Sequence, residues 1–149
     1  SNGENTFFIV MVDDNTGDAQ HRFIGGTGAG TERFIMQNTA TNLTALNRLT
    51  TAGGPQITVT RDTNPHITVS RRSLVDHTIW QDGNLSNTGA NQESFTMTSL
   101  IIGAQSSVAN RLDGVMAEVI FFNRALTNAE INQVSAYLAS KWGMTWTSI

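Results

Sequence analysis

The last third of the chain constrains the fold most. Gly114-Val115-Met116-Ala117-Glu118-Val119-Ile120-Phe121-Phe122 is almost unbroken in apolar character and rich in β-branched and aromatic residues, which suits a strand better than a surface helix. Leu126-Thr127-Asn128-Ala129-Glu130-Ile131 follows directly and carries the parts of a helix start. The Thr127 hydroxyl can accept from the Glu130 backbone N–H while the Glu130 carboxylate reaches back, and Leu126 can staple to Ile131. Ile131, Val134, Leu138 and Trp142 then recur at three- and four-residue steps, so Trp142 is expected to join a buried stripe laid on a sheet. Gly143 suits the left-handed residue just past a helix end. The spacing predicts a helix over about 127–142.

The rest of the chain is written in strands. Phe7-Phe8-Ile9-Val10-Met11-Val12 is an apolar run between Asn5-Thr6 and a polar stretch from Asp13 to Asp18. A strand apolar on both faces has to be covered on both, which predicts a mid-sheet position. Arg22-Phe23-Ile24 and Arg33-Phe34-Ile35-Met36 are shorter candidates. Ile57–Thr60 and His66–Ser70 alternate at period two around the turn residues Asp62-Thr63-Asn64-Pro65. His77–Gln81 runs into Asp82-Gly83, a strong hairpin signal because both turn positions need positive φ. Leu100-Ile101-Ile102 and the 115–122 strand are apolar enough to be expected at sheet centres. Strands first and one helix last define an all-β class, an antiparallel β-sandwich with one C-terminal α-helix. At 149 residues the chain is expected to form a single domain over 1–149.

Charge and composition remove several function classes. A net charge of −3, a single lysine and scattered arginines give no cationic field for a phosphate backbone, so nucleic acid is not an expected partner. No apolar run approaches the roughly 20 residues of a membrane-spanning helix. Without cysteine there is no disulfide, thiolate nucleophile or thiolate metal site.

Taken in order, the Phe7–Val12 run, the strand ending at Asp82-Gly83, the Leu100-Ile101-Ile102-Gly103-Ala104 segment and the close from Gly114 to Gly143 resemble the laminin-G-like jelly rolls of bacterial and phage proteins. These belong to the concanavalin A-like lectin/glucanase superfamily. The resemblance implies a jelly roll acting as a non-enzymatic carbohydrate-binding or adhesion module of a larger extracellular or virion-associated protein. Its implied partners are glycans or other protein chains of an assembly. Two alternatives stay open: structural decoration of a viral capsid, tail or surface layer by protein–protein contacts, and an accessory domain of a glycoside hydrolase. Family members usually carry further strands before the position of Phe7. The chain is therefore expected to lack its N-terminal strands or to receive them from a partner, as part of a larger polypeptide or oligomer.

Candidate chemistry is sparse. Retaining glucanases need two carboxylates about 5–5.5 Å apart, and no Glu-x-Asp-x-x-Glu stretch occurs. Glu118 stands alone in its strand and is expected to pair with Arg124 or Arg111, because a buried charge needs a partner. Asp13, Asp14 and Asp18 cluster oxygen ligands, and calcium is the one cofactor they would suit. The EF-hand pattern fails, with Asp18 at the sixth position in place of Gly and Ile24 at the twelfth in place of Glu. Gly25, Gly26, Gly28 and Gly30 lack the lysine and hydroxyl of a phosphate loop. His21, His66 and His77 are isolated and expected on the surface or half-buried. For a sugar, the candidates are the faces of Trp80 and Trp146, with Asp82 and Asn84 to hydrogen-bond hydroxyls; core packing is the competing role for Trp80.

Overall fold

A computed structural model describes residues 4–13, 22–28, 31–38, 42–47, 56–60, 62–90, 99–104 and 112–149. The strands are β1 (Asn5–Asp13), β2 (Arg22–Gly28), β3 (Thr31–Asn38), β4 (Asn42–Asn47), β5 (Gln56–Thr60), β6 (His66–Arg72), β7 (Asp76–Gln81), β8 (Asn84–Ala90), β9 (Ser99–Ile102) and β10 (Gly114–Phe122), followed by the helix α1 (Asn128–Trp142). They form two five-stranded sheets, ordered β10-β1-β6-β7-β8 and β5-β4-β3-β2-β9. Neighbouring strands are antiparallel throughout. The antiparallel sandwich with one C-terminal helix is thus the architecture its pattern predicts.

The apolar run of β1 lies between β10 and β6 and is buried on both faces, as its continuous hydrophobicity requires. On one face Phe8, Val10, Ile67, Val69 and Trp80 pack with Leu126, Ile131 and Leu138 of the helical segment. On the other, Phe7, Ile9 and Ile79 are fully buried beside the polar side chains of Thr68, Ser70, Arg72 and His77. The Asp62–Pro65 turn carries the chain from β5 in one sheet to β6 in the other.

β9 and β10 depart from expectation. Both stand at sheet edges, with Ile102 52% and Val115 63% exposed. In β10 Ile120 and Phe122 turn to the core beneath the helix, and Phe121, on the opposite face, lies against Phe7 at 4.6 Å between ring centroids.

Helix α1 begins as its sequence predicts. The Glu130 N–H donates to the Thr127 hydroxyl, the Thr127 N–H donates to the Glu130 carboxylate at 2.8 Å, and the Arg124 guanidinium holds that carboxylate through both oxygens. Arg124 first, with the Thr127 bonds, brings the Glu130 carboxyl down to about 2. Gly143 closes the helix at φ 66°. The buried Thr6 hydroxyl donates to the Arg124 carbonyl and accepts from the Leu126 N–H, tying the helix entry to β1.

Candidate functional site

Two clusters of charged side chains stand at the margin of the first sheet. The first is built on the β7–β8 hairpin. Asp82 and Gly83 take φ of 52° and 84°, the paired positive values that a tight two-residue turn needs. From that turn Asp82 accepts the Ile67 N–H at 2.9 Å on one carboxylate oxygen, and its other oxygen lies 2.6 Å from His66 Nδ1. The second ring nitrogen of His66 lies 2.7 Å from Asp62, which also accepts the Asn64 N–H at 2.8 Å. An imidazole with a carboxylate at each nitrogen donates to both only when protonated. The Asp82 bond above all raises the His66 pKa, and Asp62 adds to it against the opposing effect of burial. For Asp62, burial pulls the carboxyl upward, but the bonds from Asn64 and His66 outweigh it and leave the pKa lowered.

This arrangement locks the hairpin rather than opening it. The Asp82 carbonyl accepts the Thr147 N–H at 3.0 Å, and a side chain at Gly83 would run into the Thr147 backbone. The C-terminal segment is held by the same contacts. Asn132 accepts from the Trp146 indole and the Ile149 N–H, each at 3.0 Å, and donates back to the Ile149 carbonyl.

Of the residues expected to bind a sugar, Trp80 is 4% exposed in the core, with the Arg71 guanidinium 5.0 Å from its ring centroid. Asp82 serves the hairpin bonds just described, and Asn84 opens β8 in an exposed position. Trp146 is half-buried against the core. Asp13 is buried at the end of β1, while Asp14, Asp18, His21 and Arg111 lie outside the described residues. Among the described residues no group of three or more His, Asp or Glu side chains is placed to hold a metal ion.

His77 corrects the expectation of half-buried histidines. It is fully buried on β7, with Nε2 2.8 Å from the Ser70 hydroxyl. Burial, reinforced by the Arg72 charge, pushes its pKa down to about 4, so the ring is neutral at pH 7. Burial also lowers the Arg72 guanidinium to about 10.

The second cluster lies where the end of α1 crosses β10. Glu118 Oε2 accepts from Lys141 at 2.9 Å and from the Trp142 indole N–H at 2.8 Å. Its partner is therefore Lys141, not Arg124, which Glu130 engages instead. The Lys141 hydrogen bond, then that of Trp142, holds the Glu118 carboxyl below the ordinary carboxylate range. The Lys141 ammonium also stands 5.4 Å from the Trp142 ring centroid and 5.5 Å from that of Tyr137. Trp142 is 41% exposed and Tyr137 52%, so Trp142 is not the core anchor its spacing predicts. Position 142 falls past the last buried turn of the helix, where Leu138 and Ala139 meet the core. The sequence signal for this cluster is the four-residue step from Tyr137 to Lys141, which flanks that buried pair.

The chain belongs to the concanavalin A-like lectin/glucanases superfamily, whose laminin-G family model matches residues 2–132. No curated protein matches it. Among solved structures it is similar to the CBM40 of a Ruminococcus gnavus IT-sialidase, at 14% identity and a TM-score of 0.69 over 90% of this chain and 83% of that one. That module has also been solved bound to α2,3-sialyllactose. A Bacteroides ovatus protein described as carbohydrate binding gives 14% identity and a TM-score of 0.70, over 89% of this chain and 40% of that one. The heptameric SAP-like pentraxin of Limulus polyphemus gives 12% and 0.66, over 89% and 70%.

Proposed function

We propose that the chain is a non-catalytic carbohydrate-binding module of a larger extracellular or virion-associated protein. The observation that carries this reading is the sharing of its sandwich, over 90% of its length, with a sialidase module seen holding sialyllactose. A fold hosts many functions, so the local chemistry has to agree with it. Exposed aromatic rings beside fixed hydrogen-bonding groups are what a saccharide needs, and the end of α1 presents them. Glu118, the acid of β10, is held ionised by Lys141, which suits charge pairing and not proton donation to a leaving group.

A glycan array probed with and without a calcium chelator tests this reading. Binding to one sugar class, with no release of reducing ends on prolonged incubation, is the expected result. A blank across bacterial and host glycans would sink it. The second reading is assembly, favoured by the exposed Val115 and Phe121 on the edge strand β10. Self-association or particle binding by a chain that ignores every glycan would establish that role instead.

A further inference from the structure

The end of α1 holds apolar surface that the core does not use. Ring area left in water gives up the hydrophobic stabilisation that burial would bring, so packing does not account for aromatics at positions 137 and 142. We propose that Trp142 and Tyr137, with Lys141 and Glu118 between them, form a platform for a neutral pyranose. This rests on the carbohydrate-binding reading and names the site and sugar class that would serve it.

Three features carry the assignment. The first is preorganisation. The neighbouring Leu138 and Ala139 are buried, which anchors the helix backbone, and the Glu118 carboxylate pins the indole by its N–H at 2.8 Å. A ring already fixed loses little freedom when a ligand settles on it. The second is spacing: both ring centroids lie within 5.5 Å of one ammonium nitrogen, so the rings are neighbours on one surface. The C–H face of a pyranose can lie against such rings while its hydroxyls reach the polar pair. The third is charge. Lys141 is compensated by Glu118 at 2.9 Å, leaving the pair without net charge. A carboxylate and an ammonium offer more acceptors and donors than their mutual bond consumes. Glu118 Oε1 can accept a hydrogen bond from a sugar hydroxyl, and Lys141 can donate to a sugar oxygen. An acidic sugar would meet the Glu118 charge with no uncompensated cation among the described residues of the platform to oppose it.

Because Tyr137 and Lys141 are the chain's one tyrosine and one lysine, each reports on the site without ambiguity in a spectrum. The test is an NMR titration of the whole chain with methyl β-galactopyranoside, methyl β-glucopyranoside and N-acetylneuraminic acid, following the Tyr137 ring, the Lys141 Cε protons and the Trp142 indole N–H. A neutral glycoside is expected to shift all three. Trp142→Ala and Tyr137→Ala should each weaken binding at least tenfold. Tyr137→Ala removes no contact to Glu118 and guards against a folding defect in the tryptophan variant, with an unchanged melting temperature as the check. Glu118→Gln should move preference toward N-acetylneuraminic acid by uncovering the Lys141 charge.

Glycoside binding that both alanine variants retain would overturn the platform and leave the carbohydrate reading standing. Preference of the unaltered chain for the acidic sugar at these rings would overturn the neutral class. Failure of every saccharide in both the titration and the array would overturn platform and reading together.

Discussion

The first sheet keeps polar groups in two places, between the layers and at its margin, and the two follow different physics. Between the layers, Ser70, Arg72 and His77 are fully buried, and burial is the leading cause of both downward pKa shifts there. At the margin, Asp62, His66 and Asp82 form one cluster and Glu118 and Lys141 another, and hydrogen-bonded partners lead the His66 and Glu118 shifts. Interior groups are locked into structure by the low dielectric around them. Marginal charges keep contact with solvent, and the proposed platform stands where a ring is also exposed. Trp80 near the hairpin is buried and Trp142 at the helix end is not.

The sharpest way to break the contrast is acid. A histidine whose folded pKa lies below its unfolded value is protonated first in the unfolded chain, so its contribution is full above pH 6.5 and lost as pH falls toward 4. Through His77 the domain should lose roughly 3 kcal/mol across that window, the scale set by about 1.4 kcal/mol per pKa unit. Urea unfolding at pH 7 and pH 4.5 should show this loss, and a His77→Gln chain should show much less of it. An equal acid loss in the variant would remove His77 as the cause.

Gly83→Ala comes next, since the turn needs φ 84° and the added carbon would sit on the Thr147 backbone. Strain and overpacking of this kind cost about 2–3 kcal/mol. A chemical denaturation midpoint unchanged from the parent chain would show that the C-terminal segment does not lie against the hairpin.

The marginal histidine should respond with the opposite sign. His66 has its pKa raised by Asp82, so its stabilisation is full below pH 6.5 and lost as pH climbs through the higher folded value. With solvent screening the effect is about 1 kcal/mol or less, readable as a melting temperature that drops between pH 6 and pH 9. The drop should vanish in His66→Gln, and its persistence there would assign it elsewhere. Smallest of all should be Glu118→Gln. This exposed pair should leave the thermal midpoint within replicate error while redirecting sugar preference, and a large loss of stability would make Glu118 structural.

Much of the fold was legible because its signals are local. The capping box at Thr127 and Glu130, the stop at Gly143 and the Asp82-Gly83 turn each depend on a few consecutive residues whose backbone geometry permits little else. The mid-sheet position of β1 was readable from its unbroken apolar run. The site was much less legible. Trp142 continues the three- and four-residue stripe of α1, yet burial stops at Leu138 and Ala139, and a helical pattern says nothing of where its cover stops. Likewise β9 and β10 read as central because apolar composition does not record how many neighbours a strand has. The pairing of Glu118 with Lys141, and of His66 with Asp82, joins residues on different elements that no spacing rule connects.

The sequence by itself therefore determined the elements, their ends and the sandwich class, since turn chemistry, caps and hydrophobic period act over a few residues. Only the tertiary structure decided which tryptophan faces water, which histidine has its pKa raised and which has it lowered, and which acid meets the lone lysine. Those outcomes depend on burial and on distances across the fold, quantities that exist once the sheets and helix have packed.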